Sequence, residues 1–378
     1  MTQSVLEPVR RTTSSADRRT SFTGSASAYR ARAGSKRTAL ILGGMLALMA
    51  VLFMLVLALG SVNIPLSQII TVLLGGEAEK VSWTNIVLKF RLPKAITAAL
   101  AGAALSVSGL VMQTFFRNPL ADPFTLGISS GASLGVALAV MVTGSIGGTL
   151  LTGLSLASDL GMVGAASLGA SATLLMILLL ARRTRGTATL LIMGLMFSAL
   201  TSAIVSLLMY FSVPERIQQF ISWGFGSFGS VTWSQLSLFA PVLMIGLAGS
   251  FALVKTLNAL LLGEQYARSM GVDIQSSRLL IIAIVGLMAG TVTAFCGPIG
   301  FLGVAVPHLA RGLLRTTNHR LLIPASLLLG SVAALAAALI AEMPGSDLVL
   351  PINAVTALFG APVVMAIVLR RSNSAQMS

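Results

Sequence analysis

The sequence predicts an all-α integral membrane protein with about ten transmembrane helices. Three observations carry that prediction. Only 10% of the 378 residues are charged and 55% are hydrophobic, whereas a soluble domain carries about 25% charged residues. The uncharged stretches are long, at 39–60, 95–116, 123–158, 160–181, 186–214, 217–254, 279–310, 321–341 and 348–369, and a helix needs about 20 residues to cross a bilayer. Most basic residues sit in the polar segments between these stretches, the distribution that the positive-inside rule produces.

In chain order, residues 1–37 come first, rich in Ser, Thr, Ala and Arg, with only Glu7 and Asp17 acidic. Nothing there can bury a core, so the segment reads as a disordered, basic, cytoplasmic tail. An Arg- and Ser-rich, acid-poor start also suits an organelle transit peptide. A transmembrane domain spans 38–371, and 372–378 form a second cytoplasmic tail. Dividing the apolar stretches at Gly, Pro and Ser breaks predicts helices at 39–60, 93–115, 129–149, 160–181, 188–212, 236–256, 279–296, 301–313, 321–341 and 350–370.

Charge orients these helices. With the N-terminus in the cytoplasm, only Lys80, Lys89, Arg91, Lys94 and Arg216 of the 25 basic residues lie outside. The reverse orientation inverts that bias, so both termini are expected inside. The net charge of +14 is then a membrane signature and not a nucleic-acid footprint.

Catalytic chemistry finds no residues. Cys296 is the one cysteine, and His308 and His319 are the only histidines, which excludes an intrachain disulfide and a Cys/His zinc cluster. No lysine follows a glycine, so the phosphate-cradling G-x-x-x-x-G-K-[ST] loop cannot occur and any ATP must bind another chain. None of the eleven acidic residues falls at the centre of a predicted span. A proton- or sodium-driven transporter needs an ionisable group there, and Glu342 comes closest, at a helix end. We therefore expect no catalytic and no metal-binding residues.

Several local features remain. The run 279–310 is too long for one helix and short for two, and Gly297, Pro298 and Gly300 break it. It is either an interrupted helix whose freed backbone groups face protein or a cavity, as on transport pathways, or a plain tight turn. Leu92, Ala95, Ala101, Gly102 and Gly109 recur with identical spacing as Leu280, Ala283, Ala289, Gly290 and Gly297, an internal match that the helix count makes inverted. Two prolines stiffen the turn after Arg117, and Ser129 or Ser130 can cap the helix that follows. Residues 257–278 read as a short amphipathic helix ended by Gly271, a docking surface or a bland connector. Arg91 and Lys94 are basic on the side poor in basic charge; each can be a snorkelling anchor or half of a binding cluster.

Phe116-Arg117-Asn118-Pro119-Leu120-Ala121-Asp122-Pro123, followed by Leu126-Gly127-Ile128-Ser129-Ser130-Gly131-Ala132, resembles the signature of the FecCD-type permeases, subunits of ABC importers for iron-siderophores, haem and cobalamin. Gly297-Pro298-Ile299-Gly300-Phe301-Leu302-Gly303 with Val306-Pro307-His308-Leu309-Ala310-Arg311 and Asn318-His319-Arg320 resembles a second block, and Leu350-Pro351-Ile352 with Leu358-Phe359-Gly360-Ala361-Pro362 a third. The resemblance covers roughly residues 40–370. It implies a type II ABC importer permease fold in the bacterial plasma membrane, with two permease subunits, homo- or heterodimeric, around a central pathway. Two ATP-binding subunits, carrying ATP and Mg, dock beneath, and an extracytoplasmic binding protein docks above; this chain itself holds no cofactor. On that model Gly263, Glu264, Ala267, Arg268 and Gly271 belong to the segment that touches the ATPase, and Thr187 and Ala188 to the cytoplasmic gate. Arg91 and Lys94 pair with carboxylates of the binding protein. The family-motif positions are Asn118, Pro119, Asp122, Pro123, Gly297, Pro298, Gly300, Pro307 and His308. A ferric siderophore is the expected cargo, with cobalamin or haem as the alternative. An ion-coupled secondary transporter is the rival class, and an intramembrane enzyme a distant third. Members commonly carry an Asp and then an Arg late in helix nine, an acid before the Leu-Pro of helix ten, and a Gly soon after it. Here Ala338, Glu342, Val349 and Asn353 stand there, so that mouth has lost a cation and gained an anion.

Overall fold

The computed structural model describes residues 17–142, 159–184, 186–343 and 348–376. The expected end of the third helix at 149, Arg185, the first 16 residues of the tail and the last two residues lie outside that set. The chain divides into two compact units, Met1–Gly44 and Met45–Ser378. The second unit holds the helical bundle and all the motif residues.

Fifteen α-helices are described: α1 (Asp17–Ala58), α2 (Leu66–Leu73), α3 (Val81–Asn85), α4 (Leu92–Phe115), α5 (Ile128–Ala137), α6 (Asp159–Arg183), α7 (Thr187–Tyr210), α8 (Pro214–Gly224), α9 (Trp233–Ala252), α10 (Val254–Leu261), α11 (Glu264–Ser269), α12 (Ile274–Cys296), α13 (Leu302–Leu314), α14 (His319–Ala341) and α15 (Ile352–Gln376). Among the described residues there is no strand. Among the described residues seven helices are long and apolar enough to cross a membrane, and three shorter apolar helices, Ile128–Met141, Leu302–Leu314 and Ile352–Ala366, stand where the third, eighth and tenth were expected.

Three local expectations are corrected. Residues 17–37, read as disordered, are helical because α1 runs back to Asp17; a helix already nucleated by its apolar part extends at low cost through Ala- and Arg-rich sequence. Neither Ser129 nor Ser130 caps α5. The cap position is Gly127, at φ 79°, where a Cβ would press on Gly194 O and the Phe197 ring. The segment 257–278 holds two short helices, α10 and α11, because Gly263 at φ 118° breaks it. Gly271 does end α11: its N–H donates to Arg268 O and the Val272 N–H to Ala267 O, the paired bonds of a Schellman motif, with φ 83° at the glycine.

α4 is the most enclosed of the spans and packs against α14, α13, α12 and α9. Lipid supplies no hydrophobic drive between helices, so small residues that allow close approach and hydrogen bonds between helices hold such a bundle. A Cβ at Gly102 would strike the Gly330 backbone of α14, and one at Gly109 the Gly303 backbone of α13. Beside the first crossing, the Ser106 hydroxyl donates to Ser326 O at 2.7 Å and the Ser331 hydroxyl to Ala99 O at 2.8 Å. Gly131 and Gly135 of α5 meet Gly169 and Ala165 of α6 in the same way. The last pair of the five-residue internal match differs in setting: Gly109 lies inside α4 at a helix crossing, whereas its counterpart Gly297 follows the last residue of α12 at φ 76°.

Candidate functional site

Two ends of the bundle gather the residues that the sequence singles out. At the first end lie the start of α4 and the ends of α1, α12 and α14. Arg91 is buried there. Its guanidinium donates to Leu57 O at 2.8 Å, Ala58 O at 3.0 Å and Val62 O at 2.5 Å. Leu57 and Ala58 are the last residues of α1, whose terminal carbonyls have no partner within the helix, so Arg91 closes that helix end and complements its dipole. Lys94 forms an ion pair with Glu342, their side chains 13% and 21% exposed. The two residues expected to pair with a binding protein thus have partners within the chain: Arg91 is held by backbone carbonyls, and Lys94 by the very acid that departs from the family pattern. A cavity of about 520 Å³ opens beside them, lined among others by Phe90, Lys94, Phe225, Glu342 and Leu350.

The break in the run 279–310 belongs to the same end. α12 stops at Cys296, and a Cβ at Gly297 would meet Trp223 O. The backbone groups freed by the break find partners in other segments. Cys296 O accepts from the Ser227 N–H at 2.8 Å, Phe295 O from the Ser230 hydroxyl at 3.2 Å, and the Gly300 N–H donates to Asn353 Oδ1 at 3.1 Å. Gly297 also lines a cavity of about 340 Å³ with Gln219, Trp223 and Gln235. Of the two readings, the interrupted helix facing protein and a cavity is the one found. Asn353, another departure, supplies a side-chain acceptor that a glycine lacks.

At the opposite end the two longest motif blocks interlock. Asn118 Oδ1 accepts from the Leu120 N–H and Asp122 Oδ1 from the Phe124 N–H at 2.8 Å, which folds 118–126 into a tight turn ending in one turn of 3₁₀ helix, Pro123–Leu126. His308 Nε2 bonds Pro119 O at 2.7 Å, and a Cβ at Gly303 would meet Pro123 Cδ. Pro307 is buried inside α13. Burial pushes the Asp122 carboxyl up to about 6, against the pull of the Phe124 N–H.

The segment 254–271 and the motif residues of this end are tied together through Asn258, Gln113 and Thr114, which sequence reasoning missed. Asn258 Oδ1 accepts from the His319 backbone N–H and lies 2.9 Å from its ring Nδ1, while Asn258 Nδ2 donates to Asn318 Oδ1 at 3.0 Å. The other ring nitrogen of His319 lies 2.8 Å from the Thr114 hydroxyl of α4. Arg117 donates to Leu260 O at 3.3 Å, and Gln113 accepts from Arg311 while donating to Val304 O at 3.2 Å. The one available signal was Gln113 and Thr114, adjacent polar residues in the last turn of an apolar helix. A cavity of about 630 Å³ brings Thr187 of the expected gate together with Gly263 and Glu264 of the expected coupling segment, with Arg117, Gly186 and Tyr266 also in its wall; Ala188, Ala267, Arg268 and Gly271 do not line it. Ala267 is buried, whereas Leu262, Tyr266 and Met270, on either side of the Gly263 break, are 64%, 56% and 50% exposed.

The profile of the FecCD transport family matches residues 48–370. The hemin transport system permease protein HmuU of Yersinia pestis is 36% identical over 326 residues, 85% of this chain and 94% of that protein. The vitamin B12 import system permease protein BtuC of Klebsiella pneumoniae is 38% identical over 282 residues, 75% and 82% of the two chains. A solved structure, described as an inward-facing conformation of a metal-chelate type ABC transporter, matches with a TM-score of 0.75 and 30% identity, covering 87% of this chain and 99% of that one. With seven long apolar helices among its described residues, its motif blocks interlocked at one end and the family profile matching residues 48–370, the chain belongs to the FecCD transport family.

Proposed function

We propose that this chain is the membrane-spanning permease of an ATP-driven importer that moves a metal chelate inward, a ferric siderophore first and cobalamin or haem as the alternative. It has ten membrane-crossing helices, sits in the bacterial plasma membrane with both termini cytoplasmic, and pairs with a second permease chain. ATP and Mg bind two partner ATPase subunits at the Arg117 end, and a binding protein docks at the Lys94 end. The observation that carries this reading is the convergence at the Arg117 end. There, Thr187 and residues of the segment 254–271 face one cavity of about 630 Å³, and Leu262, Tyr266 and Met270 of that segment are exposed. Exposed apolar side chains among polar residues suit a protein contact, and basic residues cluster at the same end, as expected of a cytoplasmic face. The relatives named for haem and vitamin B12 support a bulky, metal-containing cargo.

With Arg91 and Lys94 engaged internally, docking at the outer mouth rests on the cavity rim around Phe90 and the Lys94–Glu342 pair. Specificity resides in the binding protein, and the pathway lining is small and apolar. The test is uptake of labelled ferric siderophores, haem and cobalamin by a deletion strain with and without this chain. Chain-dependent uptake of one chelate that vanadate abolishes is the expected result. Uptake that survives vanadate and collapses with the ion gradient refutes it in favour of a secondary transporter. Orientation is tested separately. Cys296 is buried, so Glu79→Cys and Thr317→Cys can be labelled without background; an impermeant thiol reagent on intact cells should modify position 79 and not 317.

A further inference from the structure

Arg278, one turn into α12 and at the end of the segment 257–278, is 5% exposed. Its guanidinium reaches two segments far apart in sequence. Nη1 donates to Thr184 O at 2.8 Å, on the short connection between α6 and α7. Nη2 lies 3.7 Å from Glu264 Oε1, at the start of α11. One turn earlier, Gln275 Nε2 donates to Arg182 O at 3.4 Å. The base of α12 is itself held by Asp273, whose side chain accepts from the Gln275 and Ser276 N–H groups. Thus the start of α12 holds the last turn of α6 at Arg182 O, the residue just after α6 at Thr184 O, and α11 at a carboxylate. Gly186 is the cap position of α7, whose first residue is Thr187, and makes no side-chain cap bond.

We propose that Arg278 is a positioning residue that couples movement of the segment 254–271 to the gate at Thr187 and Ala188. A guanidinium offers five N–H donors in a fixed planar fork, so it can hold acceptors on two elements at a set separation. A lysine ammonium is a point donor on a flexible stem and cannot span both. The two arms differ in exposure. The Thr184 contact is made from an enclosed guanidinium, whereas the Glu264 side chain is 40% exposed, beside the exposed Tyr266. A partner that shifts or engages Glu264 pulls on the guanidinium, and the guanidinium pulls on the α6–α7 connection. The inference rests on the reading that 254–271 meets an ATPase.

The test uses the full chain assembled with its ATPase subunits and binding protein in liposomes. Ala188→Cys, at an exposed position, serves as reporter against the buried Cys296. Two quantities are read: maleimide labelling of position 188 without nucleotide and with ATP and vanadate, and substrate moved per ATP hydrolysed. The reporter background should change labelling severalfold with nucleotide. Arg278→Gln should shrink that change to under twofold and lower the transport ratio severalfold. Arg278→Lys, which retains one contact, should fall between. Should Arg278→Gln fail to assemble, Glu264→Gln, at a part-exposed site, decides alone and should show the same loss. A labelling change and transport ratio equal to the reporter background in Glu264→Gln overturn the inference. Failure of the unsubstituted chain to bind any ATPase subunit overturns the underlying reading instead, and this inference with it.

Discussion

Replacing Arg91 with alanine removes one guanidinium and its bonds to Leu57 O, Ala58 O and Val62 O. Ala58 O keeps the Ile64 N–H as a donor, whereas Leu57 O and Val62 O lose their guanidinium partner. A buried acceptor left unmade costs about 1–3 kcal/mol, so the two together give a gross loss of roughly 2–6 kcal/mol. Against this stands the desolvation of a buried guanidinium, which the variant no longer bears, and the expected net effect is a loss of about 1–3 kcal/mol. Arg91→Lys keeps the charge but cannot satisfy three acceptors, so it should lose about half as much. Unfolding in detergent micelles, followed by near-ultraviolet circular dichroism, measures both. A shift below about 1 kcal/mol for Arg91→Ala refutes the helix-closing role. If that variant instead keeps wild-type stability and slows association of the binding protein, the exposed-cation reading of the sequence is restored.

Gly271→Val should insert and fold yet stimulate the partner ATPase less than wild type. Nothing lies within 4 Å of the added Cβ, so its cost is strain at φ 83°, about 1–3 kcal/mol confined to the end of α11; full stimulation removes that helix end from the mechanism. Gly109→Ala drives a methyl into the Gly303 backbone. It should lower stability by at least about 1–3 kcal/mol, the cost of ordinary overpacking, in the same unfolding assay; an unchanged midpoint shows that α4 and α13 separate freely. Asp122 titrates near 6 in the fold against 3.8 when free. Its raised value means that its contribution to stability is complete below about pH 4 and is lost as pH rises through 6. Asp122→Asn keeps the acceptor for the Phe124 N–H, so it should gain up to about 3 kcal/mol over wild type at pH 7.5 and little at pH 4; an identical pH slope in the variant refutes the burial argument.

Much of the architecture was legible from residue order alone. The positions of the spans follow from run length, because a bilayer excludes charge over about 20 residues whatever the neighbours are. The ends at Gly271 and Gly297 were legible for a similar reason: a left-handed φ is a local demand that glycine meets by itself. The motif blocks at 116–132 and 297–311 were visible as blocks, and the structure adds their contact through His308 and Pro119. Where α8 lies was not legible, since a short amphipathic helix carries too few apolar positions to show a period.

What the sequence determined by itself, then, is where the long apolar stretches lie and where the chain turns between them. Tertiary structure alone decided what the polar residues face. Arg91 reads as a binding cation until the end of α1 is folded against it, and Glu342 reads as a lost arginine until Lys94 meets it. Arg278 reads as one more inside charge until Thr184 and Glu264 converge on it. The physical reason is common to all three. Hydropathy acts on each residue wherever it sits, whereas the cost of burying a charge is set by partners tens or hundreds of positions away, and only the packed helices bring those together.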